Sequence, residues 1–242
     1  MLTFVKKNVM TIFEISLICI FCIFQSIFGI GLLLLGTPSF ILLGYSYFEV
    51  LNILLPYSII ISFLQIIVSK NNNYFFLKNI FFFSLPPLIL GLIITSYIEK
   101  DFDYKYFIAF FLILTSLINL MKLKTNKIIF KNLKLSLFFL GVIHGLSNLG
   151  GGILSIIASS ISKNKTEIRF YIASGYLIFA IVQLFIVNIF FQKINFTYLM
   201  FIWIPLLLFF LSNKFFNKIS SPYYFYIMNF LICFYGLYLF VN

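Results

Sequence analysis

Gly-Val-Ile-His-Gly-Leu-Ser-Asn-Leu-Gly-Gly-Gly-Ile-Leu, residues 141–154, lies inside an apolar run extending from Leu135 to Ile161. A run of that length can cross a bilayer, which takes roughly 20 apolar residues at about 1.5 Å each. Yet the quoted stretch holds five glycines and three polar side chains, His144, Ser147 and Asn148. Glycine inside a helix costs about 0.8–1 kcal/mol relative to alanine, so three in succession predict an unwound segment in the middle of the membrane. Bare peptide groups are costly in hydrocarbon, and such a break survives only where protein or water covers it. The stretch therefore predicts a helix broken inside a bundle rather than a plain anchor.

The rest of the chain supports a bundle. Of its 242 residues 62% are hydrophobic and 10% charged, with a mean hydropathy of +1.11. That leaves too few polar groups to clothe a water-soluble domain. The expected fold class is all-α, a polytopic helical membrane protein of about eight spans. They run roughly Met10–Ile30, Phe48–Val68, Ile80–Ile98, Tyr106–Met121, Leu135–Ile161, Glu167–Phe190, Thr197–Leu211 and Tyr223–Val241. Polar loops separate them, among them Glu99-Lys100-Asp101, Lys122 to Lys134, and Asn213 to Pro222. The first apolar run is too long for the core of a cleavable leader and reads as the first span.

The formal net charge is +11, but its 17 basic residues are scattered over short loops. That pattern excludes a nucleic-acid-binding surface and suits anionic lipid headgroups. With spans alternating sides, the side holding the N-terminus carries 10 basic residues and the other carries 7, so the N-terminus is expected in the cytoplasm of a cell-membrane protein. Cys19, Cys22 and Cys233 all fall in apolar runs. No second Cys pair or His cluster accompanies them, so no metal site, disulfide framework or cofactor is expected.

The loop from Lys122 to Lys134 divides the chain into two expected repeats of four spans, residues 1–125 and 126–242. Both open alike. In the first, the apolar run from Met10 continues through Gln25-Ser26-Ile27-Phe28-Gly29-Ile30-Gly31 to Gly36-Thr37-Pro38. Gly29-Ile30-Gly31 falls on Asn148-Leu149-Gly150 at an offset of 119 residues. Each half thus opens with a helix, a break and a second apolar segment. A break creates a new helix N-terminus, whose free N–H groups and positive dipole end attract anions. Broken helices at matching places in two halves point to a transport site.

The candidate substrate-binding residues follow. Around the first break they are Gln25, Ser26, Gly29, Gly31, Thr37 and Pro38. Around the second they are His144, Ser147, Asn148, Gly150, Gly151, Gly152 and Ser155, with Asn52 and Gln183 from other spans. His144, the only histidine, can offer an N–H to an oxyanion or exchange a proton, or it can bond a carbonyl of a neighbouring helix. Gln65, Asn119 and Asn229 read as hydrogen-bond links between helices. Glu14 and Glu49 are expected to reach the membrane interface. Arg169, beside Lys163 and Lys165, is expected to snorkel to headgroups or to draw anions to a vestibule.

Residues 141–154 resemble the signature of the TauE/SafE family, G-x-x-x-G-x-x-G-x-G-G-G-x-L, and residues 25–38 resemble its first-half counterpart ending in Thr-Pro. The resemblance covers essentially the whole chain. It departs at Asn148, where the family has glycine, and in lacking a proline a few residues after Gly152. The resemblance implies export of a small anion, sulfite or an organosulfonate, by alternating access. The partners expected are that anion and the bilayer, with a homo-oligomer possible and no nucleic acid. A non-transporting scaffold or a subunit of a larger complex is the alternative. An intramembrane hydrolase built on Ser147 and His144 is not expected, because no acid is placed to orient the histidine.

Overall fold

The computed structural model describes residues 10–69, 71, 73–98, 109–110, 112–117, 132–190 and 196–241, and every regular element among them is helical. The chain opens with α1 (Ile12–Phe28). Thr11 and Glu14 cap it reciprocally, so two orphan N–H groups are satisfied at its start. After a break come a π-helical turn (Leu32–Gly36) and α2 (Thr37–Leu42), with Pro38 in its first turn. Next are α3 (Tyr47–Ser69), α4 (Tyr74–Phe83) and α5 (Leu85–Ile98). The second part holds α6 (Leu133–Ser147), α7 (Gly151–Ile161), α8 (Lys165–Phe190), the short α9 (Phe196–Leu199), α10 (Trp203–Lys218) and α11 (Ser221–Val241).

Four helical stretches among the described residues are long and apolar enough to span a membrane: Tyr47–Ser69, Tyr74–Tyr97, Lys165–Phe190 and Ser221–Val241. The first and third of these are 67% buried in the protein, against 33% for the last, so α3 and α8 form the centre. They pack on each other more extensively than any other pair. The outer surface is apolar, with Phe75, Phe82, Phe185, Phe210 and Phe230 all exposed. A surface of that kind suits acyl chains rather than water.

Two spans differ in their bounds from those expected, and the fifth divides where a break is expected. The third span begins at Tyr74, where Asn73 Oδ1 accepts from Phe76 N as an N-cap, not at Ile80. The fifth is two helices, since α6 stops at Ser147 and α7 starts at Gly151. Gly151 and Gly152 therefore lie in the first turn of α7 and not in the unwound segment. The seventh extends to Lys218, so the polar stretch from Asn213 is helical rather than a loop. The fourth span falls mostly outside the described residues, of which 109–110 and 112–117 are helical. Asn119, the Glu99–Asp103 stretch and the boundary at residue 125 lie outside them as well.

Helix positions recur at the offset that joins the two breaks. Shifted by 119 residues, α3 falls within two residues of the bounds of α8, and α5 within one residue of those of α10. Tyr57 then coincides with Tyr176 and Pro86 with Pro205. The packing has the same pattern: α1 lies against α10, and its counterpart α6 lies against α5. Each broken helix thus leans on a helix from the other part of the chain, with α3 and α8 between them.

Candidate functional site

Both breaks turn on one left-handed residue. α1 ends at Gly29 (φ 77°), whose N–H donates to Gln25 O at 2.8 Å. α6 ends at Asn148 (φ 61°), whose N–H donates to His144 O at 2.8 Å. L-residues avoid this region, but asparagine tolerates it better than most, so the departure from glycine at 148 keeps the backbone path. The side chain then adds something glycine cannot. Asn148 Nδ2 donates to Thr37 Oγ1 at 2.8 Å, tying the second break to α2 behind the first, and Asn148 Oδ1 accepts from Gln183 Nε2 at 3.4 Å. Asn148→Gly is therefore expected to lose only these bonds, whereas Asn148→Ala also carries the left-handed strain of about 1–2 kcal/mol. Thermal unfolding in detergent should rank the variants wild type, then glycine, then alanine.

The first break is closed by donors aimed at the end of α1. Gln65 Nε2 donates to Gln25 O (2.6 Å) and Ser26 O (3.1 Å), and Tyr224 Oη donates to Phe28 O (2.7 Å). The Gln25 amide donates to Ser58 Oγ (2.8 Å) and Ser62 Oγ (3.2 Å). Arg169 completes the closure. It does not snorkel to headgroups: it is 1% exposed, donates from Nη1 to Ser26 O (3.2 Å) and Asn213 Oδ1 (3.0 Å), and stacks 3.4 Å from the centre of the Phe216 ring. A cation at a helix C-terminus meets the negative dipole end, which explains its burial without a carboxylate. Arg169→Met is expected to lower stability by about 3 kcal/mol, and Arg169→Lys to recover little, because only the planar guanidinium both stacks and forks. Chemical unfolding of the purified variants checks this.

Glu14 also departs from expectation. It is buried, held by Thr11 N (2.7 Å) and by the Tyr45 hydroxyl (2.8 Å), because it serves as the first-turn acid of α1. Glu49 plays the same capping part for α3, accepting from Ser46 N at 3.0 Å.

Both breaks keep buried polar atoms without partners: Gln25 Oε1, Ser26 Oγ, Gln65 Oε1 and Arg169 Nε at the first, and others at the second. Gly150 N donates to His144 Nδ1 at 3.2 Å, and the imidazole packs on Phe179 and Tyr176 with ring centres 4.9 and 5.9 Å apart. The imidazole is therefore bonded to its own break and not to a carbonyl of a neighbouring helix. The Tyr176 hydroxyl sits directly against Gly151, where a side-chain carbon would overlap it. His144 Nε2, Tyr176 Oη and Gln183 Oε1 are all buried and have no hydrogen-bond partner. Of these, the Tyr176 hydroxyl lies at the start of α7, where Gly150 N donates to His144 Nδ1 and Gly152 N to Leu149 O at 3.3 Å.

His144, Asn148, Gly150, Gly151, Gly152, Gln183 and Thr37 thus come together at the second break. Gln25, Ser26, Gly29 and Gly31 gather at the first, and Pro38 is buried in α2. The others turn elsewhere. Ser147 Oγ donates to Ile143 O (2.7 Å) and Ser155 Oγ to Gly152 O (2.7 Å), each within its own helix region. Asn52 Oδ1 accepts from Asn188 Nδ2 at 3.3 Å between the two central helices. Two residues at the breaks were not among the sequence candidates. Tyr176 had a signal, its identity with Tyr57 at the offset of 119. Arg169 had none, because a basic residue in the first turn of a span reads equally well as a headgroup contact.

Residues 15–239, nearly the whole chain, match the model of the family described as sulfite exporter TauE/SafE. No curated protein and no solved structure matches.

Proposed function

The chain belongs to the TauE/SafE family of membrane transporters, and from that premise we propose that it exports a small anion, sulfite or an organosulfonate, by alternating access around its two broken helices. The observation carrying this reading is the second break. A helix N-terminus there meets the Tyr176 hydroxyl and His144 Nε2, two buried atoms with no hydrogen-bond partner within the described residues. Buried polar groups without partners cost about 1–3 kcal/mol each, so they are retained where a ligand or water engages them. The positive end of α7 adds a dipole favouring negative charge. Residues 1–125 and 126–242 act as the two moving halves, with α3 and α8 at their contact and Asn148–Thr37 as a tie between them. Counted at one crossing per apolar run, the N-terminus falls on the cytoplasmic side of the cell membrane, and the exposed apolar helices leave room for a homo-oligomer in the bilayer.

Purified protein tested against sulfite, sulfoacetate and thiosulfate provides the check. An anion that binds the folded state raises apparent stability, by about 2.7 kcal/mol at a concentration one hundred times its Kd. Stabilisation by at least one of them is expected. A folded sample that none of them stabilises contradicts the proposal.

A further inference from the structure

We infer that the end of the bundle carrying Arg169 rests on the anionic headgroups of the cytoplasmic leaflet, and that the start of α1 and the end of α11 lie on the opposite side of the membrane. The inference does not depend on which break holds the anion.

It begins with the direction of the helices. α1 and α3 run parallel, because the contacts between them advance together. The Tyr45 hydroxyl, just before α3, donates to Glu14 Oε1 (2.8 Å), Gln25 Nε2 donates to Ser58 Oγ (2.8 Å), and Gln65 Nε2 donates to Ser26 O (3.1 Å). The residues between the two helices must therefore return across the bundle. They do so beside α1, where Gly36 lies against Phe21 and Leu54. The second break makes the same excursion. α6 runs beside α5, from Ser84 on Leu137 O to Thr95 on Leu146 O, and α7 runs back along α8, with Gly151 against Tyr176 and Leu154 against Gly175. Each opening pair leaves one face of the membrane and comes back to it, so it adds no net crossing. Counting every apolar run as one crossing misses both returns, and the side it gives for the N-terminus is reversed.

With the returns in place the charges separate. The end of α1 shares a face with the starts of α4, α8 and α11 and the end of α10. Asn73 Nδ2 donates there to Tyr171 Oη (3.0 Å), Arg169 to Ser26 O and Asn213 Oδ1, Lys165 to Phe216 O, and Tyr224 to Phe28 O. All seven basic residues among the described ones belong to this face, from Lys78 on α4 and Lys134 over the Phe83 ring to Lys218 at the end of α10. Glu14 and Glu49 stand at the other face. α11 follows the returning segment towards them, with its Tyr235 hydroxyl on Leu35 O (3.0 Å). Helical residues 112–117 run the opposite way, with Leu112 and Ile113 at Gly236 and Thr115 at Gly152. Beyond the described residues, Lys70 and the four lysines of 122–131 connect helix ends on the basic face. Lys6, Lys7, Lys100, Lys105 and Lys193 belong to ends on the other, so the whole chain has twelve basic residues against five. Basic loops stay in the cytoplasm, where the leaflet is anionic. The Arg169 closure of the first break, with its buried Nε unpartnered, then looks to the side from which an exported anion arrives.

Reporters in bacterial cells test the orientation. Alkaline phosphatase, which is active only outside the cytoplasm, is fused after Asn242 of the unaltered chain and is expected to be active. A fluorescent protein at the same position, which matures only in the cytoplasm, is expected to stay dark. Asn217→Cys, on the exposed end of α10, is expected to resist a membrane-impermeant maleimide in sealed spheroplasts and to react once they are permeabilised. The signal is read above that of Cys19, Cys22 and Cys233, and Lys163→Cys repeats the reading on the neighbouring turn. A bright fluorescent fusion with an inactive phosphatase, or labelling of either new cysteine in sealed spheroplasts, overturns the inference while anion transport stands. The headgroup contact has its own measurement. In nanodiscs, exchanging phosphatidylcholine for phosphatidylglycerol is expected to raise the unfolding midpoint by a few degrees, and salt at about 0.5 M to erase the gain. A midpoint that does not move between the two lipids overturns the contact.

Discussion

Alanine at Gly151 is expected to abolish anion flux, by at least ~100-fold, in a protein that still folds. Gly151 opens α7, and the Tyr176 hydroxyl occupies the place its side chain would take. The ring behind that hydroxyl is hemmed in by His144 and belongs to a face of α8 with no exposure. An added methyl therefore pushes the hydroxyl, the imidazole or the helix start by about an ångström, and displacements of that size at a site are worth roughly 100-fold. A companion variant separates space from chemistry. Gly151→Ala with Tyr176→Phe removes the overlapping oxygen, so stability should recover, but the donor is gone and flux should not. Flux in reconstituted vesicles and thermal unfolding together read both quantities. Recovery of flux in the double variant would mean that the Tyr176 hydroxyl does not contact the anion.

A stability loss as large as that at Arg169 is expected at Gly145. A side-chain carbon there would overlap Leu88 O and approach the Gly91 Cα to 3.0 Å. One turn earlier, Gly141 meets Ser84 O in the same manner. Here α5 and α6 touch backbone to backbone, the close approach that small residues permit within a membrane. The obstructing atoms are carbonyls, which cannot rotate away, so Gly145→Ala must separate two helices. A loss of about 3 kcal/mol is expected, at the upper end for overpacking. Gly175→Ala is the matched control: its methyl meets the end of the Leu154 side chain, which can change rotamer. Unfolding midpoints in detergent should fall clearly for Gly145→Ala and little for Gly175→Ala. Equal midpoints would mean that the α5–α6 contact is looser than described.

The breaks were legible in the sequence because their chemistry is local. A residue that must turn left-handed is glycine or asparagine, so Gly29 and Asn148 stand out without knowledge of any neighbour. The C-terminal limit of α10 was not legible for the opposite reason. Asn213 to Lys218 is polar and reads as a loop, yet the Lys165 ammonium donates to Phe216 O (2.7 Å) and Asn217 O (3.2 Å) and rests over the Phe216 ring. A donor some fifty residues away extends the helix, and no local propensity reports it. Arg169 follows the same logic, since its burial depends on the end of α1 and on Phe216, both distant in sequence. The candidate list named residues that meet at the second break, with Gln183 beside Asn148. It also included Ser147 and Ser155, whose hydroxyls are spent on backbone carbonyls, because spacing on a helix face does not reveal which way a hydroxyl turns.

The difference between the two breaks is the part of the account with the widest reach. At the first, amides, a hydroxyl and a guanidinium are turned onto the carbonyl end of α1. At the second, His144 Nε2 and the Tyr176 hydroxyl are left without partners beside the amino end of α7. The proposal places the anion at the second break because donors there meet a helix N-terminus, whereas the first break presents the carbonyl end of α1. Flux of sulfite through vesicles reconstituted with wild type and with Gly151→Ala, both verified as folded, tests that assignment most directly. The account predicts protein-dependent flux in wild type and its loss in the variant. Equal flux in the two, or no flux in folded wild type, would contradict it.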